Sequence, residues 1–299
     1  MKHFSELQNH YQKWLQTLGF SESSVYSYPK MVYFFLDYIE NRGISHITGL
    51  KYSHVTDYFT HLQNRKSMRK DGALSAAHLN KSFDAIDKFL EFLNQMGSPN
   101  APTPTNYRIL ETKNEMMQKV KVLTKSEIQT IYESVPKIFT RMKNIVEAEA
   151  RRAVATLVLD LCYGCGLRKK EALNLLMNDI DLDKKILLVR QAKGYKDRYV
   201  PISENISERI KLFMYQHRKF FNCEHQRLFP FKSESLHEYN LKLRRVSGLN
   251  KDFGLHTLRH SIATHLLQNG MSVEQIAKFL GHATLDSTQI YTHLANHDE

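Results

Sequence analysis

The sequence predicts a mainly α-helical protein of two domains: an N-terminal four-helix domain, then a larger α-rich domain of mixed α/β character with a small antiparallel sheet. Three observations predict it. Apolar residues recur at helical spacing over most of the chain. A proline-bearing stretch interrupts that pattern near residue 98. Only the region around 185–202 trades the helical period for β-branched and leucine runs on either side of a turn.

In chain order, the segment around Trp14 opens the first domain. Tyr28, Val32, Phe35, Leu36 and Ile39 mark a second helix, Val55, Tyr58, Phe59 and Leu62 a third, and Phe83, Ile86, Phe89, Leu90 and Leu93 a fourth. Between the last two lies NRKSMRKDG, a basic polar loop. GSPNAPTPT then ends the helical pattern, and the polar text that follows reads as a linker over 99–122. The second domain opens at LTKSEIQTIYESV, where Thr124 and Glu127 form a capping-box signature. A helix over 147–163 is broken by the glycines of CYGCGLRKKEALNLL, and another starts near Arg168. NDIDLDKK reads as a turn-rich loop, KILLVRQ and RYVPI as a hairpin around AKGYKD, and the text from about 205 onward as helical.

The composition is that of a globular chain: 299 residues, 42% hydrophobic, 24% charged, with 12 Gly and 7 Pro. It excludes disordered and collagen-like classes, and three cysteines are too few for a disulfide scaffold. No run of ~18 apolar residues and no signal segment is visible, so the expectation is a soluble protein of a reducing cytoplasm with no membrane partner. A formal charge of +11 makes a polyanion the first candidate partner, nucleic acid ahead of membrane.

The stretch LHTLRHSIATHLLQNGMSVEQIAKFLGHATLDSTQIYTHL threads His256, Arg259, His260, His282 and Tyr291 through amphipathic helices. Leu255, Leu258, Ile262 and Leu266 share one face, while His256 and Arg259 stand together near a helix start. There they oppose the helix dipole unless an anion lies between them. Ser272 with Gln275 caps the next helix, Gly281 terminates it, and His282 follows; Asp286 and Gln289 read as the cap of a last short helix. The His256–His260 spacing also fits a zinc helix, but the glutamate of HExxH is missing and no third ligand stands at a convincing distance. Cys162 and Cys165 form a CxxC without a second ligand pair or a βαβ setting, which reads as packing thiols. Arg168 and Glu171, three apart, suit a carboxylate bracing a guanidinium, and Lys193 sits at the hairpin turn.

Taken together, GLRKKE, the lysine of QAKGYKDRYVPI, LHTLRHSIATHLL and FLGHATLDSTQIYTH, in that order, resemble the tyrosine recombinase (phage integrase, Xer-like) family. The resemblance implies a SAM-like core-binding domain over 1–98 and a tyrosine-recombinase catalytic domain over 123–299. It implies strand cutting and rejoining without metal or other cofactor, through a 3'-phosphotyrosine and a Holliday junction. Tyr291 would be the nucleophile, Arg168 and Arg259 the phosphate clamp and Lys193 the acid for the leaving 5'-oxygen. His256 would assist proton transfer, His282 would hydrogen-bond the phosphate, and Glu171 would brace the site. Arg65, Lys66, Arg69 and Lys70 are candidate DNA-backbone contacts.

Implied partners are double-stranded DNA target sites, further copies or a related recombinase in a tetramer, and a directionality or DNA-bending factor, all at the nucleoid. The implied role is mobile-element integrase, Xer-like resolvase or invertase. A type IB-like topoisomerase and a catalytically inactive DNA-binding relative are the alternatives. Relatives commonly extend a helix beyond the tyrosine, whereas THLANHDE is all that follows Tyr291 in this sequence.

Overall fold

A computed structural model describes residues 4–67, 72–98, 100–110, 121–190, 197–221, 223, 225–231, 233–282 and 288, with backbone alone at 233 and 234. The chain divides into two units, Met1–Thr112 and Lys113–Glu299.

The first unit holds the four expected helices: α1 (Ser5–Thr17), α2 (Glu22–Glu40), α3 (Tyr52–Asn64) and α4 (Ala76–Gln95). Ser21 and Ser75 cap α2 and α4 by accepting the N–H groups of Ser24 and His78. The apolar positions read from the sequence of α3 and α4 are all buried, and those of α2 are buried apart from half-buried Tyr28. Rings fill much of this core, with Phe59 and Phe83 at 4.2 Å between centroids. The buried Tyr11 hydroxyl donates to the Ala85 carbonyl at 3.0 Å, so its polar tip is satisfied.

The structure moves the edge of this unit outward from the sequence-based boundary. Residues 101–109 of the expected linker pack on the first unit, because the carboxylate of buried Asp87 collects their polar groups. It accepts the Thr105 N–H (2.7 Å) and hydroxyl (2.9 Å), the Asn106 N–H (3.0 Å) and Arg108 Nη1 (3.2 Å). Asn80 adds a two-way pairing with the backbone of Ile109, whose side chain packs on the core. Composition identified a helix break here but could not show where the broken chain docks.

The second unit begins as expected, with Thr124 and Glu127 in a reciprocal capping box at the start of α5 (Lys125–Glu133). Next come α6 (Ile145–Leu159) and α7 (Lys169–Asn174), then β1 (Ile180–Asp181), β2 (Ile186–Val189) and β3 (Arg198–Pro201). The strands form one antiparallel sheet in the order β1-β2-β3, with Val189 opposite Arg198. β1 lies in the expected turn-rich loop, where Asp181 accepts the Lys184 N–H at 2.9 Å and closes the chain onto β2. Further α-helices among the described residues are α8 (Glu204–Leu212), α9 (Ser233–Ser247), α10 (Leu255–Gln268) and α11 (Val273–Leu280). One core runs from Leu123 to Leu258, and Ala263, Ile276 and Leu280 join α10 to α11.

Replacing Asp87 with alanine should release residues 101–109 and cost about 3 kcal/mol, since Thr105, Asn106 and Arg108 lose one common acceptor. Chemical unfolding of the full chain reads the loss, and faster tryptic cleavage after Arg108 locates it.

Candidate active site

The site begins where α6 ends. The helix widens over Asp160–Gly164 into a π turn, closed by the Cys165 N–H on the Asp160 carbonyl at 2.8 Å. Asp160 is fully buried, and its carboxylate accepts the Tyr132 hydroxyl (2.9 Å) and two nitrogens of Arg209 (2.7 and 2.8 Å). The π turn is thereby fixed to α5 and α8. Gly166 then turns the chain at φ +60°, where a Cβ would lie 2.8 Å from Leu280 and 2.9 Å from Phe279. Past it, buried Leu167 anchors the chain and Arg168 takes the N-cap position of α7.

From the other side, α10 carries Arg259 into the same place. Its first turn is held by Ser261, whose hydroxyl oxygen accepts the buried Leu123 N–H at 2.8 Å and whose O–H donates to the Thr257 carbonyl. The capping pair Ser272 and Gln275 starts α11 as expected, and Gly281 ends it at φ +67°. The His282 N–H reaches back to the Ala277 carbonyl at 3.0 Å. Three successive carbonyls at this helix end are then taken by three arginines. Arg198 Nε donates to Phe279 (2.9 Å), Arg259 Nη2 to Leu280 (2.7 Å) and Arg168 Nη2 to Gly281 (3.1 Å). Cations suit this position because the helix dipole makes its C-terminus negative.

The same three arginines surround Glu171. Arg168 gives Nη1 to Oε1 (2.7 Å) and its own N–H to Oε2 (2.9 Å). Arg198 forks onto both oxygens (3.2 and 2.8 Å), and Arg259 Nη1 lies 3.7 Å from Oε2 while also donating to the Gly166 carbonyl. Burial opposes the carboxylate's charge, but hydrogen bonds from Arg198 and Arg168 override it and hold Glu171 at about 2. The Arg168 side chain is 35% exposed, while those of Arg198 and Arg259 are 8% and 5% exposed.

Three imidazoles border the cluster. His282 places Nδ1 2.7 Å from the hydroxyl of buried Thr288. Burial first, and then the charges of Arg259 and Arg168, lower it to about 4. His260 is also lowered to about 4, by burial and then by His256 and Arg259. His256, exposed as a residue, is lowered by partial covering of its ring and then by Arg259, Arg168 and Lys169. Near pH 7 all three are neutral, able to accept or pass a proton while the fixed positive charge rests on the arginines.

The structure thus brings together Arg168, Glu171, His256, Arg259 and His282. Lys193, Tyr291, Arg69 and Lys70, with the expected cap at Asp286 and Gln289, lie outside the described residues. Arg65 and Lys66 belong to the first unit, Arg65 with its guanidinium 6.0 Å from the Phe34 ring and Lys66 bridged to Ala73. Cys162 and Cys165 are buried free thiols pushed up by that burial, Cys162 to about 12.

Sequence reasoning missed Arg198 and Thr288. A signal for Arg198 was present: it stands two residues before Val200 and four before Ile202, in the inward phase of a strand whose Tyr199 is exposed. Thr288 carries no comparable signal, being one hydroxyl residue in a polar stretch.

Comparison with known proteins gives a consistent result. Residues 121–297 match the sequence model of the Phage integrase family. Tyrosine recombinase XerA of Thermococcus kodakarensis is 33% identical over 175 residues, covering 58% of this chain and 57% of that protein, so the match spans a little over half of that relative. Tyrosine recombinase XerD of Corynebacterium glutamicum is 26% identical over 286 residues, covering 92% of this chain and 89% of that protein. In fold, the chain is similar to the XerH site-specific recombinase in its post-cleavage complex with palindromic difH substrate. The TM-score is 0.70 at 21% identity, covering 91% of this chain and 76% of that one.

Two outcomes are expected. Unfolded histidines titrate near 6.5, so between pH 6.5 and 4 the unfolded chain binds protons that folded His260 and His282 do not. Stability should therefore fall as pH drops through that window, by on the order of 1–2 kcal/mol per histidine once solvent screening of these partly exposed rings reduces the full linkage of about 3. Depressed Glu171 adds a loss only below 4.5. Urea unfolding across pH reads the slope, and His282→Gln should flatten it. Separately, Gly166→Ala should lower stability by about 2 kcal/mol or more, from the left-handed backbone and the displaced Leu280 and Phe279.

Proposed function

The chain belongs to the phage integrase family of tyrosine recombinases, and from that premise we propose that it is a site-specific recombinase working by a metal-independent transesterification. The observation that carries the reading is the convergence of Arg168 and Arg259 on Glu171 beside three neutral histidines. Such a site binds an oxyanion and moves protons with protein groups alone.

In the proposed reaction Tyr291 attacks the scissile phosphorus. The phenolic oxygen–phosphorus bond forms as the bond to the 5'-oxygen breaks, leaving a 3'-phosphotyrosine and a free 5'-hydroxyl. The bond energy is stored in the covalent link, so rejoining needs no nucleotide cofactor. A phenol of ordinary pKa near 10 needs help at neutral pH, and neutral His256 takes its proton. Lys193 protonates the 5'-oxygen. Arg168 and Arg259 hold the nonbridging oxygens with permanently charged planar forks, better suited to the task than an ammonium. His282, its Nδ1 engaged by Thr288, adds a hydrogen bond to the phosphate. Together these groups supply a barrier reduction toward the upper end of the enzymatic range, ~20 kcal/mol.

Exchange of strands between two sites through a Holliday junction requires four active sites, so the working form is a tetramer on DNA. Arg65, Lys66, Arg69 and Lys70 add phosphate contacts and make binding fall with salt. The role is that of a Xer-like resolvase, a mobile-element integrase or an invertase, all of which use this exchange.

Expression of wild type and Tyr291→Phe, followed by sequencing of DNA linked to protein under denaturing conditions, tests this reading. Wild type alone should enrich one discrete locus, with the protein on the 3' end and with EDTA in the reaction. Arg168→Ala should lower the yield at least a hundredfold. Relaxation of supercoiled plasmid lacking that locus would indicate a topoisomerase instead. Binding without any adduct would indicate an inactive relative.

A further inference from the structure

We infer that Arg198 is a positioning residue for this chemistry, a third guanidinium that absorbs the charge of Glu171 so that Arg168 and Arg259 keep theirs for the phosphate. The inference rests on the function proposed above.

A brace made of a carboxylate creates a difficulty. Glu171 orients Arg168, but its negative charge lies 2.7 Å from that guanidinium and 3.7 Å from Arg259, opposing their hold on a second anion. Arg198 resolves it. Its two terminal nitrogens span both Glu171 oxygens, and among the described residues no other side chain does so. Three guanidiniums less one carboxylate leave a net +2 at the site, against a phosphodiester of −1 and a five-coordinate transition state of −2.

Hydrogen bonding distinguishes Arg198. Both of its terminal nitrogens are on Glu171 and Nε is committed to the Phe279 carbonyl, at 8% exposure; Arg168 is 35% exposed, and Arg259, 5% exposed, gives its terminal nitrogens to the Gly166 and Leu280 carbonyls. Arg198 also joins three elements: β3, which carries it opposite Val189; α7, through Glu171; and the end of α11, through Phe279. Each of Arg168 and Arg259 depends on two of the same supports, Glu171 and the adjacent carbonyls of 280 and 281. A lysine in this position offers one ammonium, which cannot span two carboxylate oxygens and a carbonyl at once.

The test uses the full chain and a nicked duplex of the locus recovered by covalent capture, with single-turnover adduct formation and thermal melting as readouts. Arg198→Met should slow cleavage about 100-fold, the scale of a misplaced catalytic group. Arg198→Lys should restore less than a tenth of the wild-type rate. The double variant Arg198→Met/Glu171→Gln should react at least tenfold faster than Arg198→Met, because the unmatched carboxylate is gone. On a duplex whose scissile phosphate is a neutral methylphosphonate, the Arg198→Met deficit should shrink below tenfold.

Wild-type cleavage by Arg198→Met overturns the inference. So does a double variant no faster than Arg198→Met, or an equal deficit on both duplexes with a lowered melting temperature, the mark of a merely structural residue. If Arg168→Ala also gains nothing from the neutral duplex, the phosphate clamp itself is refuted. If no locus is captured, the function proposed above fails and this inference falls with it.

Discussion

The carboxylate of Glu171 is the interaction on which the second unit's site depends. An isolated buried carboxylate is costly, and burial alone pushes its pKa upward. It stays ionised because Arg198 and Arg168, the latter with its backbone N–H as well, hydrogen-bond it, while Arg259 stands 3.7 Å away. Those same guanidiniums terminate α11 by binding its last carbonyls. Removing the carboxylate would leave three cations in mutual repulsion at one helix end. The end of α11 and the site therefore share a single set of hydrogen bonds.

This arrangement also fixes the protonation of the histidines around it. Burial first, and after it the neighbouring positive charges, lower His260 and His282 to about 4, so both are neutral at neutral pH. In the proposed reaction the labour is divided, with charge on groups that never lose protons and proton handling on groups that are neutral beforehand.

Much of this was legible in the sequence, and the reasons differ by element. The four N-terminal helices were readable because their apolar residues repeat at helical spacing, and the capping pairs Thr124–Glu127 and Ser272–Gln275 because side-chain chemistry fixes a helix start locally. Arg168, Glu171, His256, Arg259 and His282 were legible as an ordered set of unusual residue types in apolar text. The docking of residues 101–109 was not, because it depends on Asp87 in an otherwise amphipathic helix whose partners are some twenty residues away. Arg198 reads as a strand-edge cation until the strand's inward phase is known. The π turn at Asp160–Gly164 was equally hidden, since a widened helical turn has no compositional mark and is held here by Tyr132 and Arg209 from other elements.

That turn has one more consequence. Its two buried cysteines, Cys162 and Cys165, flank the path from α6 to Gly166 and carry thiols that burial keeps protonated. Neither can meet an alkylating reagent while the turn is closed. Cys223, partly exposed, reacts independently of it. The chain therefore contains a native stopwatch: the lag between labelling of Cys223 and labelling of the other two measures how often the floor of the site comes apart.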